Sequence, residues 1–274
     1  MVERTIQSKR IVVKIGTSSL IYPNGQVNLE TIDRLAYALA ALNNKGHEVI
    51  LVSSGAIGVG LAAEGLTERP ESIAQQQALA AVGQSELISL YTKRFSDYGA
   101  RIGQLLLTHD VFEYKLSRQH VMDAFDALLA QNIIPIVNEN DSVAVDELDH
   151  HTTFGDNDQL SALVATRIDA DLLVVLSDIE GLYDKDPHKF ADAHLLTSMT
   201  QLGEDVMAGA TGSSTRFGTG GMVTKLYAAA RMLAHQKQMV LASGADPRII
   251  LQIVEGAPVG TWFHPQEMEI THND

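Results

Sequence analysis

The sequence predicts an α/β fold built on a mostly parallel sheet, and three observations carry that prediction. Short apolar runs alternate with amphipathic stretches along the 274 residues, the order in which strands and covering helices follow one another in parallel sheets. The runs are continuously apolar, as expected of strands buried on both faces. Small polar or glycine-rich segments follow several of them, where a strand turns into a helix.

Strands are expected at residues 10–15, 49–52, 102–107, 133–137, 172–176 and 238–242. Between the first two, Leu29, Ile32, Leu35, Leu39 and Leu42 recur at three- and four-residue spacing. That spacing makes one apolar stripe and predicts a helix over 29–44. Gly46 supplies its stop, because glycine takes the left-handed cap at little cost. Further helices are expected at 73–95, 118–130, 158–168, 223–235 and 247–254. Residues 142–155 are polar and mixed and read as a long loop or hairpin. Residues 209–221 carry Gly209, Gly212, Gly218, Gly220 and Gly221 among threonines and serines, and read as a long loop of the kind that serves as a functional lid or mobile segment. No internal repeat or low-complexity linker divides the chain, so a single domain over 1–274 is expected.

Composition narrows the function. The chain is 45% hydrophobic and only 5% aromatic, so its core must come mainly from Ala, Val, Ile and Leu. A formal charge of −14 argues against a nucleic-acid surface, which needs a basic face. A phosphate site needs only local positive charge and stays open. Cysteine is absent, which excludes disulfides and thiolate metal sites and fits a reducing cytosol. The polar start lacks the apolar core of a secretory signal. No stretch approaches the ~20 apolar residues of a membrane span. A soluble, cytoplasmic protein is expected.

Two lysines stand beside glycine-rich turns at opposite ends of the chain. Lys14 closes the first apolar run and precedes Gly16-Thr17-Ser18-Ser19; Lys225 follows Gly218-Thr219-Gly220-Gly221-Met222-Val223-Thr224. A phosphoryl group in transfer carries its charge on oxygens, so its catalysis is mostly positioning and neutralisation. Such lysines suit that task and point to a phosphotransferase. Other polar clusters follow expected strand ends or open helices. Ser53-Ser54-Gly55-Ala56-Ile57-Gly58 makes a small-residue turn into a helix, where anions are favoured. Asn138-Glu139-Asn140-Asp141 follows the fourth run, and Gly155-Asp156-Asn157-Asp158-Gln159 precedes an Ala/Leu-rich helix. Helix capping accounts for one of the latter residues but not all of them. Ser177-Asp178, with Gly181-Leu182-Tyr183 beyond, offers a hydroxyl, a carboxylate and a tyrosine to a base or ribose. Each cluster has a plain alternative as an ordinary turn, but together they converge on one sheet edge, where ligands of open α/β sheets gather. His150 and His151 lie in an acidic stretch and read as solvated, so no metal site is assigned.

Taken in order, these motifs resemble the amino-acid kinase family from about Arg10 to Phe263. The Lys-Ile-Gly-Thr start and the Gly-Thr-Gly-Gly-Met-x-Thr-Lys segment are shared across the wider family. The Asn-Glu-Asn-Asp and Gly-Asp-Asn-Asp motifs narrow the resemblance to the branch that phosphorylates glutamate. The resemblance implies a three-layer α/β/α sandwich with an open, mostly parallel sheet. It implies transfer of the γ-phosphoryl of ATP, with Mg²⁺, to the side-chain carboxylate of L-glutamate, the first step of proline biosynthesis. Lys14 and Lys225 would then neutralise the migrating group, and Asp158 would hold both ammonium groups. Ser54, Asp141 and Asn157 would bind glutamate. Lys14, Ser177, Asp178, Thr219, Gly220, Gly221, Met222, Val223, Thr224 and Lys225 would bind ATP.

The resemblance also implies a homodimer or tetramer and possible feedback by proline. Many members carry a further C-terminal PUA domain; this chain ends at Asp274 and is expected to lack it. The spacer 142–153 is a few residues longer than in many members. Two alternatives stay open. One is a family member with another acceptor: acetylglutamate, aspartate, carbamate or UMP. The other is a non-catalytic amino-acid sensor, which should have lost a lysine or aspartate; Lys14, Asp158 and Lys225 are all present.

Overall fold

A computed structural model describes residues 4–143, 157–187, 189–203 and 221–266. An eight-stranded sheet forms its middle layer, in the order β3-β4-β2-β1-β5-β7-β8-β6. The strands are β1 (Arg10–Ile15), β2 (Glu48–Ser53), β3 (Arg101–Leu107), β4 (Ile133–Glu139), β5 (Leu172–Ser177), β6 (Ser198–Met199), β7 (Gln238–Ser243) and β8 (Thr261–Phe263). From β3 to β7 every pairing is parallel, so the carboxyl ends of six strands share one edge. β8 runs antiparallel to β7 and pairs in parallel with β6.

The helices are α1 (Thr17–Leu20), α2 (Leu29–Asn44), α3 (Ala56–Ala63), α4 (Ile73–Asp97), α5 (Lys115–Ala130), α6 (Asn157–Arg167), α7 (Met222–Ala234) and α8 (Ile249–Val254). In α2 the stripe Ile32, Leu35, Leu39 and Leu42 is buried, whereas Leu29, in the first turn, is 44% exposed. Asn28 caps that helix by accepting the Thr31 backbone N–H at 3.0 Å, and Gly46 follows it at φ 94°.

Strand periodicity divides the core into two layers, because successive side chains point to opposite faces. Ile11, Val13 and Ile15 of β1 join Ile32 and Leu35 of α2, Leu87 and Tyr91 of α4, and Ile250 of α8. Val12 joins Phe125 of α5, Leu160 of α6 and Leu226 of α7 on the other face. This is the α/β/α sandwich implied by the resemblance. The same parity places Lys14 with Val12, on the α6 and α7 side. Ser53 and Asn138 fall on the α4 side. Burying each large aliphatic side chain contributes roughly 1.5–3 kcal/mol, so a two-residue register is strongly enforced here.

Burial on both faces holds for β1, β2, β5 and β7, but not for β3. As an edge strand among the described residues, β3 pairs there with β4 alone and leaves Leu106 37% exposed. Its apolar run therefore reflects one covered side and not two. β6 and β8 went unread because two or three residues are too few to show a period.

α3 and α4 are held at unusually close range. A Cβ on Gly83 would lie 1.8 Å from the Ala56 carbonyl oxygen, and one on Gly60 would lie 2.2 Å from that of Leu79. Only glycine permits this approach. It seats the middle of α4 against the turn that follows β2.

Candidate active site

β1 lies between β2 and β5, and the chain leaves it on one side toward β2 and later returns on the other at β5. The crevice beyond the carboxyl ends at such a reversal is where ligands bind in open α/β sheets. Lys14 stands there, one residue from the end of β1, and Gly16 and α1 carry the chain away from it.

Asp158, in the first turn of α6, is fully buried and joins the two lysines. Its Oδ1 lies 2.5 Å from Lys14 Nζ, and its Oδ2 accepts from Lys225 Nζ at 3.1 Å. The lysine side chains are only 6% and 7% exposed. Burial alone would raise the Asp158 pKa, but the two ammonium groups outweigh it and hold the carboxyl below the usual carboxylate range. The helix dipole at the start of α6 acts in the same direction. The Thr224 hydroxyl lies within reach of both Asp158 Oδ2, at 3.1 Å, and the Gly221 carbonyl, at 2.8 Å. One carboxylate thus fastens the end of β1 to the first turn of α7.

That first turn has its own anion-binding character. Gly221 is the N-cap of α7 and provides no side-chain cap, and the backbone N–H groups of a helix's first turn favour anions. The side chains of Met222 and Val223 pack against the core, which leaves their backbone for that purpose. Ser177, at the end of β5, donates to Asp178 Oδ1 at 3.0 Å; Asp178 itself is exposed. Thr219 and Gly220, with the rest of residues 144–156 and 204–220, lie outside the described residues.

On the other side of β1 is an uncharged network. Ser54 follows β2 and is turned by Gly55, at φ 104°, into α3. Asn157 Nδ2 donates to Ser54 Oγ at 2.6 Å and to Asn138 Oδ1 at 3.0 Å. Asn138 Nδ2 donates in turn to Gln84 Oε1 at 2.9 Å. The Asn157 Oδ1 atom is buried and has no partner among the described residues. Asp141 lies just past β4 at the same edge, half-buried. Beneath Ser54, the Ser53 hydroxyl meets Tyr91 Oη of α4 at 2.8 Å. Burial pushes that phenol well above its ordinary pKa, so it stays neutral. Neither Gln84 nor Tyr91 was singled out from sequence. The available signal was two polar groups seven residues apart on a helix face that also carries Leu87.

Lys14, Asp158, Lys225, Ser54 and Asn157, drawn from distant parts of the chain, therefore meet along one sheet edge. A cationic cluster and an amide-lined cluster adjoin there, sharing the start of α6. The sequence of residues 9–243 matches the model of the Amino acid kinase family, and the chain belongs to that family. The fold agrees. A T. acidophilum isopentenyl phosphate kinase superposes with a TM-score of 0.62 at 16% identity, over 93% of this chain and 100% of that one. The UMP kinase of Bacillus anthracis does so with 0.62 at 14%, over 95% and 97%.

Much nearer in sequence are proteins named glutamate 5-kinase. That of Lactiplantibacillus plantarum is 58% identical, over 95% of this chain and 98% of its own length. That of Ligilactobacillus salivarius is 55% identical, over 96% and 99%.

Proposed function

We propose that this chain transfers the γ-phosphoryl group of ATP to the side-chain carboxylate of L-glutamate, opening proline biosynthesis. The observation that carries the chemistry is the gathering of Lys14 and Lys225 on Asp158. A glutamate carboxylate is ionised at neutral pH and needs no general base. One of its oxygens attacks the γ-phosphorus as the bond to the β-phosphate oxygen breaks, giving an acyl phosphate and ADP. No proton moves in this step. What opposes it is repulsion between two anions and the charge spread over the migrating group. Two ammonium groups fixed in a buried setting lower that cost without reorganising.

The acceptor side has matching polarity. Ser54 accepts from Asn157 and keeps its own O–H to donate, while Asn157 keeps Oδ1 to accept. A donor beside an acceptor suits the α-carboxylate and α-ammonium of a free amino acid, and Asp141 adds a carboxylate at the same edge. On the nucleotide side stand the first turn of α7, with Gly221, Met222, Val223, Thr224 and Lys225, together with Ser177 and Asp178. Thr219 and Gly220 belong to the same reading.

Mg²⁺ belongs to the same reading and would be held with the nucleotide. Among the described residues no three His, Cys, Asp or Glu side chains lie together, and Asp158 is engaged by two lysines. Bound mainly through phosphate oxygens and water, the ion would need few protein ligands and would supply charge neutralisation on the nucleotide; no step here runs through it. No described helix is long and apolar enough to cross a membrane. A single kinase domain, cytoplasmic location, homo-oligomeric assembly and feedback by proline complete the proposal, on the strength of the family resemblance.

The test is an acceptor panel. Purified protein receives ATP, Mg²⁺ and hydroxylamine with glutamate, N-acetylglutamate, aspartate, carbamate or UMP, and ADP and hydroxamate are measured. The expected outcome is fastest ADP release with glutamate, accompanied by γ-glutamyl hydroxamate. No product with glutamate, or a markedly faster acceptor, overturns the assignment.

A further inference from the structure

The geometry points to Gln84 as a positioning residue for the acceptor site, acting through Asn138 to set which end of the Asn157 amide faces substrate. This rests on the reading of Ser54 and Asn157 as glutamate-binding residues. Gln84 lies on α4, on the sheet face opposite Lys14, and is 9% exposed. Its Oε1 accepts from Asn138 Nδ2 at 2.9 Å, which commits Asn138 Oδ1 to the opposite direction. Asn138 Oδ1 then accepts from Asn157 Nδ2 at 3.0 Å, and the second hydrogen of that amide goes to Ser54 Oγ at 2.6 Å. An amide nitrogen has two hydrogens, and both are spent. Among the described residues the amide atom of Asn157 left without a partner is its buried oxygen, which the reading assigns to the ligand.

A carboxamide is nearly symmetric in shape, so packing alone chooses poorly between its two orientations. The choice is made by hydrogen bonding along the chain. Without an acceptor at position 84, Asn138 can turn over and present its NH₂ to Asn157. Asn157 must then present Oδ1 to Asn138 and its NH₂ to the pocket. A donor would stand where an acceptor is needed, opposite a substrate ammonium. Gln84 thereby selects for an amino group at the acceptor, and the close seating of neighbouring Gly83 on Ala56 fixes where it stands.

The test compares Q84L, Q84M and Q84E with wild type in steady-state kinetics for both substrates. Q84L and Q84M remove the acceptor while keeping bulk; the second keeps the unbranched shape if the first does not fold. Q84E is acceptor-only when ionised, so it preserves the direction of the chain at mildly alkaline pH. The expected result is a rise of about tenfold or more in KM for glutamate in Q84L and Q84M. KM for ATP should stay within about twofold and kcat within about threefold, and Q84E should return glutamate KM to near the wild-type value. Equal losses for both substrates, no loss at all, or no rescue by Q84E overturn the positioning role. Failure of wild type to use glutamate would instead sink the underlying functional reading, and the wild-type assay run alongside tells the two apart.

Discussion

Lys14, near the end of the first strand, and Asp158, in the first turn of α6, are joined by a 2.5 Å ion pair from which solvent is almost excluded. A lysine on a central strand would ordinarily thread its stem to water. Here it is held inside by a carboxylate that also binds Lys225. Removing a charge from such a cluster costs more than removing a surface pair, because the remaining charges stay buried.

Asp158→Asn keeps the shape and deletes the charge. It leaves two buried ammonium groups near one another, so a loss of about 3–5 kcal/mol in folding stability is expected. Urea unfolding monitored by circular dichroism measures it. A midpoint equal to wild type would show that the lysines do not depend on this carboxylate.

The same cluster sets a pH dependence. The Asp158 pKa is lowered by folding from its ordinary value of 3.8, so the unfolded chain takes up this proton first. The stabilisation is fully present above 3.8 and is lost as pH falls below that value through the folded pKa. The stability advantage of wild type over Asp158→Asn should therefore shrink on acidification below that value and not at neutral pH. An advantage that stays constant in acid counts against the pairing.

Gly83→Ala tests the seating of α4 on α3. Its Cβ would stand 1.8 Å from a backbone oxygen, and no side-chain rotation relieves that. A loss of about 3 kcal/mol or more is expected in thermal unfolding, at or above the upper end for overpacking. A variant as stable as wild type would show that the helices separate at little cost.

Tyr91→Phe removes one buried hydrogen bond to Ser53 while keeping the ring in the core. A loss of about 1–2 kcal/mol is expected from the deleted hydrogen bond. Ser53 Oγ also donates to the Ser54 carbonyl at 3.0 Å, which leaves that hydroxyl one remaining partner and sets the lower bound. Differential scanning calorimetry reads this directly, and an unchanged melting temperature contradicts it.

Much of this architecture was legible in residue order. β1, β2, β5 and β7 are buried on both faces, and short, continuous aliphatic runs mark them in the sequence. Lys14 and Lys225 were legible because each is a cation beside a glycine-rich turn, the setting a phosphate needs. Their meeting on Asp158 came from resemblance, since periodicity says nothing about which strand ends adjoin. β3 carries a similar apolar run yet lies at the edge, because strand order is a property of topology and not of local pattern. Gln84 and Tyr91 were hidden for the reverse reason. They sit mid-helix in α4, away from any turn and without charge of their own. Only the register of β2 and β4 on that face gives them partners.

The most direct measurement is turnover of Lys225→Ala with ATP and glutamate, beside wild type and Lys14→Ala. Loss of either ammonium group should lower kcat by ~10²–10³, with glutamate KM changed by no more than about threefold. ADP release by Lys225→Ala at the wild-type rate would contradict the central claim that both lysines act on one migrating phosphoryl group.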